Sequence, residues 1–390
     1  MIPARPTRME VDLDAVAHNV GVLAERAGDA MLCVVVKADG YGHGAVEVAG
    51  AAVDAGASWL AVALVEEGEE LRDGGLHGPI LVLSEPPVAA AARMIAAELV
   101  ASVCTPAFGG ALDEAARGAG TTADIHLVVD TGMGRVGAVT DDWEGLFAAA
   151  AGWGALRVSG LWTHFARADE PGAGTTEEQL ERLDRARRLA GRAGHDDLLV
   201  HAANSAGTLL FEQSHFGMVR TGIATYGLSP APDLPADRFG LRQVMRLVSE
   251  ISFVKHVPAG TPVSYGHSWT SPSNGWVATV PIGYADGAPR ALSNRAEALW
   301  AGRRVPFVGN VTMDQLLLWC ADDQPRVGDE VVLLGADAEG GFVGVDEWAD
   351  LLGTISYEVA CGIGPRVPRR QVRSGGRSAG DPAESLTRPD

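Results

Sequence analysis

From residue 31 to about 225 the chain alternates short, almost wholly apolar runs with stretches whose apolar residues recur at helical spacing. The runs are Met31–Val36, Trp59–Ala63, Ile80–Leu83, Leu99–Val103, Ile125–Val129, Val158–Trp162, Leu198–His201 and Phe216–Val219. Between them lie Ala-rich or amphipathic segments at 45–56, 66–73, 87–97, 107–118, 143–151, 177–193 and 205–212. A run without a polar face predicts a strand buried on both sides, and buried strands each followed by a helix predict a parallel sheet. Eight such units in succession predict an α/β fold, a (β/α)8 barrel of the TIM type, with its chemistry at the C-terminal ends of the strands. A doubly wound sheet is the competing fold, but it would not normally gather five motif-bearing loops around one rim.

After Pro230 the texture changes. Pro230, Pro232 and Pro235 mark a connection, and the runs beyond it are alternating or β-branched: Leu247–Val257, Trp276–Val280, Val305–Val308, Leu316–Trp319 and Val331–Leu334. Gly and Pro turns separate them, so a smaller all-β C-terminal domain is expected. The chain thus divides into 1–13, a strand packing with the β domain; 14–235, the barrel; 236–373, the β domain; and 374–390, a polar tail rich in Gly, Ser and Pro, expected to be disordered.

Composition narrows the function. A net charge of −19 argues against nucleic acid and against an acidic membrane surface, since both require a basic patch. No 18-residue apolar run and no basic-then-apolar leader occurs, which predicts a soluble, cytoplasmic protein. Cys33, Cys104, Cys320 and Cys361 form no CxxC pair and no metal spacing, so buried apolar thiols in a reducing compartment are expected and no metal site is. The basic residues carry the sharper signal. Of 31, only Lys37 and Lys255 are lysine. Arginine cannot be deprotonated to form an imine, whereas a lysine amine with a depressed pKa can. Lys37 closes the first apolar run within VVKADGYGHG (35–44), at the mouth of the expected barrel, and this placement predicts a Schiff-base lysine.

Eight further motifs follow: DTGMGRVG (130–137), THFARADE (163–170), HAANSAG (201–207), MVRTGIATYGLSP (218–230), VSYGHSW (263–269), PIGYADG (281–287), TMDQ (312–315) and TISYE (354–358). All five tyrosines lie within the nine. From about residue 8 to 373 the chain resembles the alanine racemase family, fold-type III enzymes dependent on pyridoxal 5'-phosphate. The resemblance implies a Schiff base between Lys37 and that cofactor. It implies a phosphate held by Tyr41, Ser205, Gly222, Ile223 and Tyr357, with Asn204 and His164 nearby, and Arg220 facing the pyridine nitrogen. A permanent cation there disfavours ring protonation, which limits transamination and favours simple return of the proton. Racemisation needs a base on each face of Cα; the family pairs the lysine with a tyrosine from a second subunit, here Tyr265. A phenol of ordinary pKa about 10 is a poor base at neutral pH and needs such neighbours as His164 and Arg220. Arg135 and the Met313 N–H are implied to bind the substrate carboxylate, and Tyr284 to line the entrance, in a homodimer with shared sites.

The implied activity is interconversion of L- and D-alanine, supplying D-alanine for cell-wall peptide. A racemase of another amino acid such as serine, a non-catalytic cofactor-holding protein and a decarboxylase are the other readings; VSYGHSW and Tyr265 speak against the last two. His126, His195 and His215 are read as structural or solvated, and Asp39 and His43 as parts of the turn after Lys37. Several positions depart from the family pattern. Val128 stands where many relatives carry a carboxylated lysine that holds the arginine, so Arg135 requires another anchor, such as chloride or an acidic side chain. Arg167, Asn310 and Thr221 replace a small residue, an arginine and a proline; the first two bear on access, and Arg167 near the entrance is expected to change which amino acids enter or to interact with a second carboxylate.

Overall fold

The computed structural model describes residues 5–231 and 234–373. Residues 1–4, 232–233 (with Pro232 of the expected connection) and the tail expected at 374–390 lie outside the described residues. The chain forms two compact units, one of Val16–Arg242 and one of the residues up to Ala15 together with those from Gln243 onward. The division falls after Arg242 because the residues following Pro235 are bound back to the helix Leu13–Ala27. There His18 Nε2 donates to Gly240 O at 2.8 Å, and the buried Asn19 accepts from Arg242 N and donates to Arg242 O, both at 2.8 Å.

The first strand, β1 (Arg8–Asp12), belongs to the second unit. The next eight are β2 (Met31–Val35), β3 (Trp59–Val62), β4 (Ile80–Val82), β5 (Val100–Val103), β6 (Ala123–Val128), β7 (Leu156–Trp162), β8 (Leu199–His201) and β9 (Met218–Thr221). They form a closed parallel barrel, shut by β2 pairing with β9. The helices Ala45–Asp54, Val65–Asp73, Ala91–Ala96, Pro106–Ala119, Trp143–Ala150, Thr175–Arg192 and Ser205–Leu210 follow the strands. This is the architecture the apolar runs predict. Alternation along the strands turns Cys33, Ser102, His126, Trp162, His201 and Arg220 toward the interior, where register aligns Cys33 with Arg220, Ser102 with His126, and Trp162 with His201. The barrel core is therefore partly polar and aromatic.

In the second unit the strands are β10 (Met245–Glu250), β11 (Phe253–Val257), β12 (Pro262–Val263), β13 (Trp269–Thr270), β14 (Gly275–Val280), β15 (Glu297–Trp300), β16 (Arg303–Pro306), β17 (Leu316–Ala321), β18 (Glu330–Ala336), β19 (Phe342–Val343) and β20 (Arg369–Val372). One sheet runs β16-β15-β18-β10-β1-β20, with β19 on β18; another runs β11-β14-β17, and β12 pairs β13. β1 thus lies between β10 and β20, antiparallel to the first and parallel to the second. The apolar stretch 247–257 is two strands in two sheets. Ile251 N donates to Asp329 O and Ser252 N to Thr279 O, so the chain changes sheet at that step. Helices Val345–Leu352 and Ser356–Cys361 complete the unit. Among the described residues no helix is long and apolar enough to cross a membrane, and no cluster of His, Cys, Asp or Glu could hold a metal ion.

Candidate active site

Lys37 follows β2 and opens a turn of the wrong hand. Ala38, Asp39, Gly40 and Tyr41 all lie near φ 52 to 60° and ψ 39 to 52°, one turn of left-handed helix. For non-glycine residues this conformation costs roughly 1–2 kcal/mol each, so the surroundings must hold it. Glu67 accepts from Ala38 N at 2.6 Å with one oxygen and from Ala63 N and Leu64 N with the other. Asp39 accepts from Ala45 N at 2.9 Å, Gly40 N donates to Val36 O, and His43 N returns to Gly40 O. Asp39 and His43 thus belong to the turn. The result is a half-buried amine on a rigid pivot.

The same turn seats Tyr41 beside β9. Its ring lies 4.9 Å from that of Tyr226, whose hydroxyl donates to Val35 O at 3.1 Å. A Cβ on Gly222 would sit 2.3 Å from the Tyr41 hydroxyl, so only glycine fits. Ser205 Oγ accepts from Gly222 N at 3.0 Å and Ala224 N at 3.3 Å. With its lone pairs engaged, its own proton is left to donate outward. The Tyr41 and Ser205 hydroxyls and the Ile223 amide therefore converge on a glycine-lined cradle, the kind of donor set a phosphate requires, while the Gly222 amide orients Ser205. Asn204 caps the helix Ser205–Leu210, its side chain accepting from Gly207 N at 2.9 Å.

Arg220, 2% exposed, is held without a carboxylate among the described residues. Nη1 donates to His201 Nδ1 at 2.7 Å; Nη2 donates to Thr163 O at 2.9 Å and Ala202 O at 3.1 Å, with His164 Nδ1 at 3.3 Å. The guanidinium lies 4.6 Å over the Trp162 ring, which itself stacks on His201. Burial lowers the Arg220 pKa to about 10, which leaves it cationic at neutral pH. His164 is driven well below the ordinary imidazole range by burial, then by the charges of Arg220, Arg135 and Lys37. Three cations around a neutral imidazole make this rim a receptor for anions.

DTGMGRVG forms a loop built around Asp130, whose carboxylate accepts from Gly132 N, Met133 N and Gly134 N at 2.8–2.9 Å. A Cβ on Gly137 would lie 2.6 Å from Asp130 N, so the loop can close only with glycine there. Arg135 is exposed and makes no side-chain hydrogen bond or ion pair among the described residues, so no acidic side chain of its own unit anchors it. Val128 is buried beside Trp162 on the neighbouring strand. Arg167 is paired with Glu170. Thr221, in place of the family's proline, shares a buried hydroxyl contact with Thr225 at 3.0 Å.

The remaining candidates lie in the second unit. Tyr265, Met313 and Tyr284 are 76%, 53% and 44% exposed, an unusual set of large apolar side chains turned outward. Their backbones are nonetheless fixed. Asn310 Nδ2 donates to Tyr265 O at 2.6 Å, and Ser264, at φ 64°, donates its hydroxyl to Asn310 O. Tyr284 N and Ala285 N donate to Thr312 O and Met313 O at 3.0 Å, and a Cβ on Gly283 would meet Thr312 O at 2.3 Å. Buried Asp286 accepts from Gly283 N and pairs with Arg5 and Arg366, locking the Tyr284 loop. Tyr357 is half-buried on the helix Ser356–Cys361.

Lys37, Tyr41, His164, Asn204, Ser205, Gly222, Ile223 and Arg135 thus follow strand C-termini of the barrel unit and Arg220 is the penultimate residue of β9, while Tyr265, Tyr284, Met313 and Tyr357 sit on the β unit. Sequence reasoning missed three supports: Glu67; His201, as the acceptor for Arg220; and the buried Gln179. Gln179 donates to Thr131 Oγ1 and His164 O and accepts from Ala166 N, tying two active-rim loops together. Its only sequence signal is a polar residue on the inner face of an amphipathic helix.

Two family models match in tandem: alanine racemase, N-terminal domain, over residues 11–230, and alanine racemase, C-terminal domain, over 244–371. The chain is 46% identical over 369 residues to the alanine racemase of Frankia casuarinae, covering 93% of this chain and 95% of the relative. It is 46% identical over 366 residues to that of Symbiobacterium thermophilum, covering 94% and 97%. Among solved structures, alanine racemase from D-cycloserine-producing Streptomyces lavendulae superposes with a TM-score of 0.92 at 42% identity, over 95% of this chain and 98% of the other. The Bacillus anthracis alanine racemase with bound L-Ala-P gives 0.89 at 36% identity, over 97% and 98%.

Proposed function

The chain belongs to the alanine racemase family, and on that premise we propose that it interconverts L- and D-alanine by moving a proton between the two faces of Cα. One observation carries the reading: a half-buried lysine, a phosphate cradle and a buried uncompensated arginine share one barrel rim. Pyridoxal 5'-phosphate fits this donor set. When bound, it supplies an electron sink for the Cα–H bond. Tyr41, Ser205, Gly222, Ile223 and Tyr357 would hold its phosphate, and Lys37 would hold its aldehyde. Arg220, cationic at neutral pH, would oppose protonation of the cofactor ring, which would steer the proton back to Cα. The Lys37 amine would take and return the Cα proton on one face.

The Tyr265 phenol of a second copy serves the other face, in a homodimer. The outward-turned side chains of Tyr265, Met313 and Tyr284 support that assembly. Arg135 and the Met313 N–H receive the substrate carboxylate, and Tyr284 lines its approach. Cys33 and Cys320 are buried thiols, in accord with a reducing, cytoplasmic setting in which the product would feed cell-wall peptide, whereas Cys104 is half-buried and Cys361 exposed rather than buried as expected. A racemase for another amino acid is not favoured: Arg167, the residue that would meet a second carboxylate, is already paired with Glu170.

The test is turnover of the purified protein on a panel of L-amino acids, with D-product read by chiral chromatography. D-alanine is expected as the dominant product. An absence of D-alanine, or faster turnover of another amino acid, overturns the reading. The cradle has its own test. Gly222→Ala drives a methyl against Tyr41, and losing one hydrogen bond to a charged group costs about 1.5–3 kcal/mol, so cofactor affinity is expected to fall roughly 10- to 100-fold. Titration of the apoenzyme followed by absorbance measures it.

A further inference from the structure

Arg220 does not end its hydrogen-bond chain at His201. His201 Nε2 lies 2.9 Å from Nδ1 of His126 on β6, and all three groups are buried in the barrel interior. The direction of the chain follows from chemistry. A guanidinium only donates, so His201 Nδ1 must accept. Neutral His201 then carries its proton on Nε2 and donates it to His126 Nδ1, and neutral His126 carries its proton on Nε2. Burial and the charge of Arg220 hold both imidazoles below their ordinary range, His126 at about 3, so both are neutral at pH 7.

The far end of this chain is unusual. His126 Nε2 is buried without a hydrogen-bond partner among the described residues, a position in which an N–H is costly to leave. The barrel also makes room for this ring. Gly160 is its register partner on β7, and a Cβ there would sit 2.5–2.7 Å from Cδ2, Cγ and Nε2 of the imidazole. Trp59 closes the other side, its ring 5.2 Å away. A leucine would fill the same volume with no orphaned N–H, so packing alone does not account for a histidine.

We propose that His126 is a positioning residue for Arg220: by accepting from His201 it locks the tautomer that presents a bare Nδ1 to the guanidinium. In the opposite tautomer His201 would turn an N–H toward Nη1, and Arg220 would lose the one side-chain acceptor that fixes Nη1. The proposal rests on the role given to Arg220 above, but its first test does not. Neutron diffraction from deuterated crystals of the wild-type holoenzyme is expected to place a deuteron on Nε2 of both His201 and His126 and none on Nδ1. A deuteron on His201 Nδ1 overturns the proposal, whatever the enzyme's activity.

Two variants supply the second test. His126→Asn retains an acceptor near the position of Nδ1, whereas His126→Leu removes it and keeps the bulk. With Leu, the absorption band of bound cofactor is expected to shift, and abortive transamination per racemisation turnover to rise at least tenfold. It is read as accumulated pyridoxamine phosphate and pyruvate. With Asn, both readings are expected to stay within about threefold of wild type. Equal behaviour of the two variants, or a wild-type ratio with Leu, removes His126 from this role. If neither the wild type nor the variants bind the cofactor, the functional reading fails, while the deuteron positions still decide the tautomer.

Discussion

Lys37→Ala is expected to give a colourless protein with no measurable racemisation. Two losses combine. The amine that would attach the cofactor aldehyde is gone, and so is the base on one face of Cα, whose absence alone is worth about 10²- to 10⁴-fold. No other lysine of the barrel unit can substitute, because Lys255, the only other one in the chain, lies on β11 of the second unit. The fold is expected to survive. The left-handed turn begins after Lys37, and Glu67, Asp39 and the Val36 carbonyl hold it through the main-chain amides of Ala38, Ala45 and Gly40. A melting temperature near that of wild type, together with loss of the visible band and of turnover, is the expected pattern. A retained band would remove Lys37 from its assigned place, and retained turnover would remove the mechanism with it.

How much of this was legible in the sequence depends on whether a feature is local. The barrel was readable because most strand positions are buried on both faces and apolar; β4 and β5 are apolar at every position but Ser102. Lys37 was readable for the same reason, as a lone amine at the end of such a run. The left-handed turn was not. Ala38 and Tyr41 have no preference for positive φ, and the conformation is imposed by Glu67, 29 residues away from Ala38. The role of His201 was hidden likewise, since its Nδ1 meets Arg220 only through the pairing of β8 with β9. In the β unit, β15 reads Glu-Ala-Leu-Trp, without a β-branched residue, and β12 and β13 are too short to alternate. The step at Ile251 and Ser252 is masked by continuous hydrophobicity on both sides. Asn310 is instructive in another way. As a departure from the family pattern it bears only on access, yet its amide fixes the carbonyl of Tyr265.

That constraint frames the second large effect. Tyr265→Phe is expected to keep the visible band and the melting temperature while racemisation falls about 10²- to 10⁴-fold, the range for losing one acid–base group. The substitution removes a single oxygen from a side chain that is 76% exposed on its own chain, so folding has little to lose. The main chain around it is set elsewhere, by Ser264 at positive φ and by the amide of Asn310, so the ring of phenylalanine should occupy the place of the phenol. Exchange of the Cα hydrogen in deuterated water separates the two faces. With Lys37 intact, one enantiomer should continue to exchange without inverting, while exchange from the other drops with turnover. If both enantiomers exchange at wild-type rates, the phenol is not a base. If both stop together, a single group serves both faces and the two-base reading is wrong.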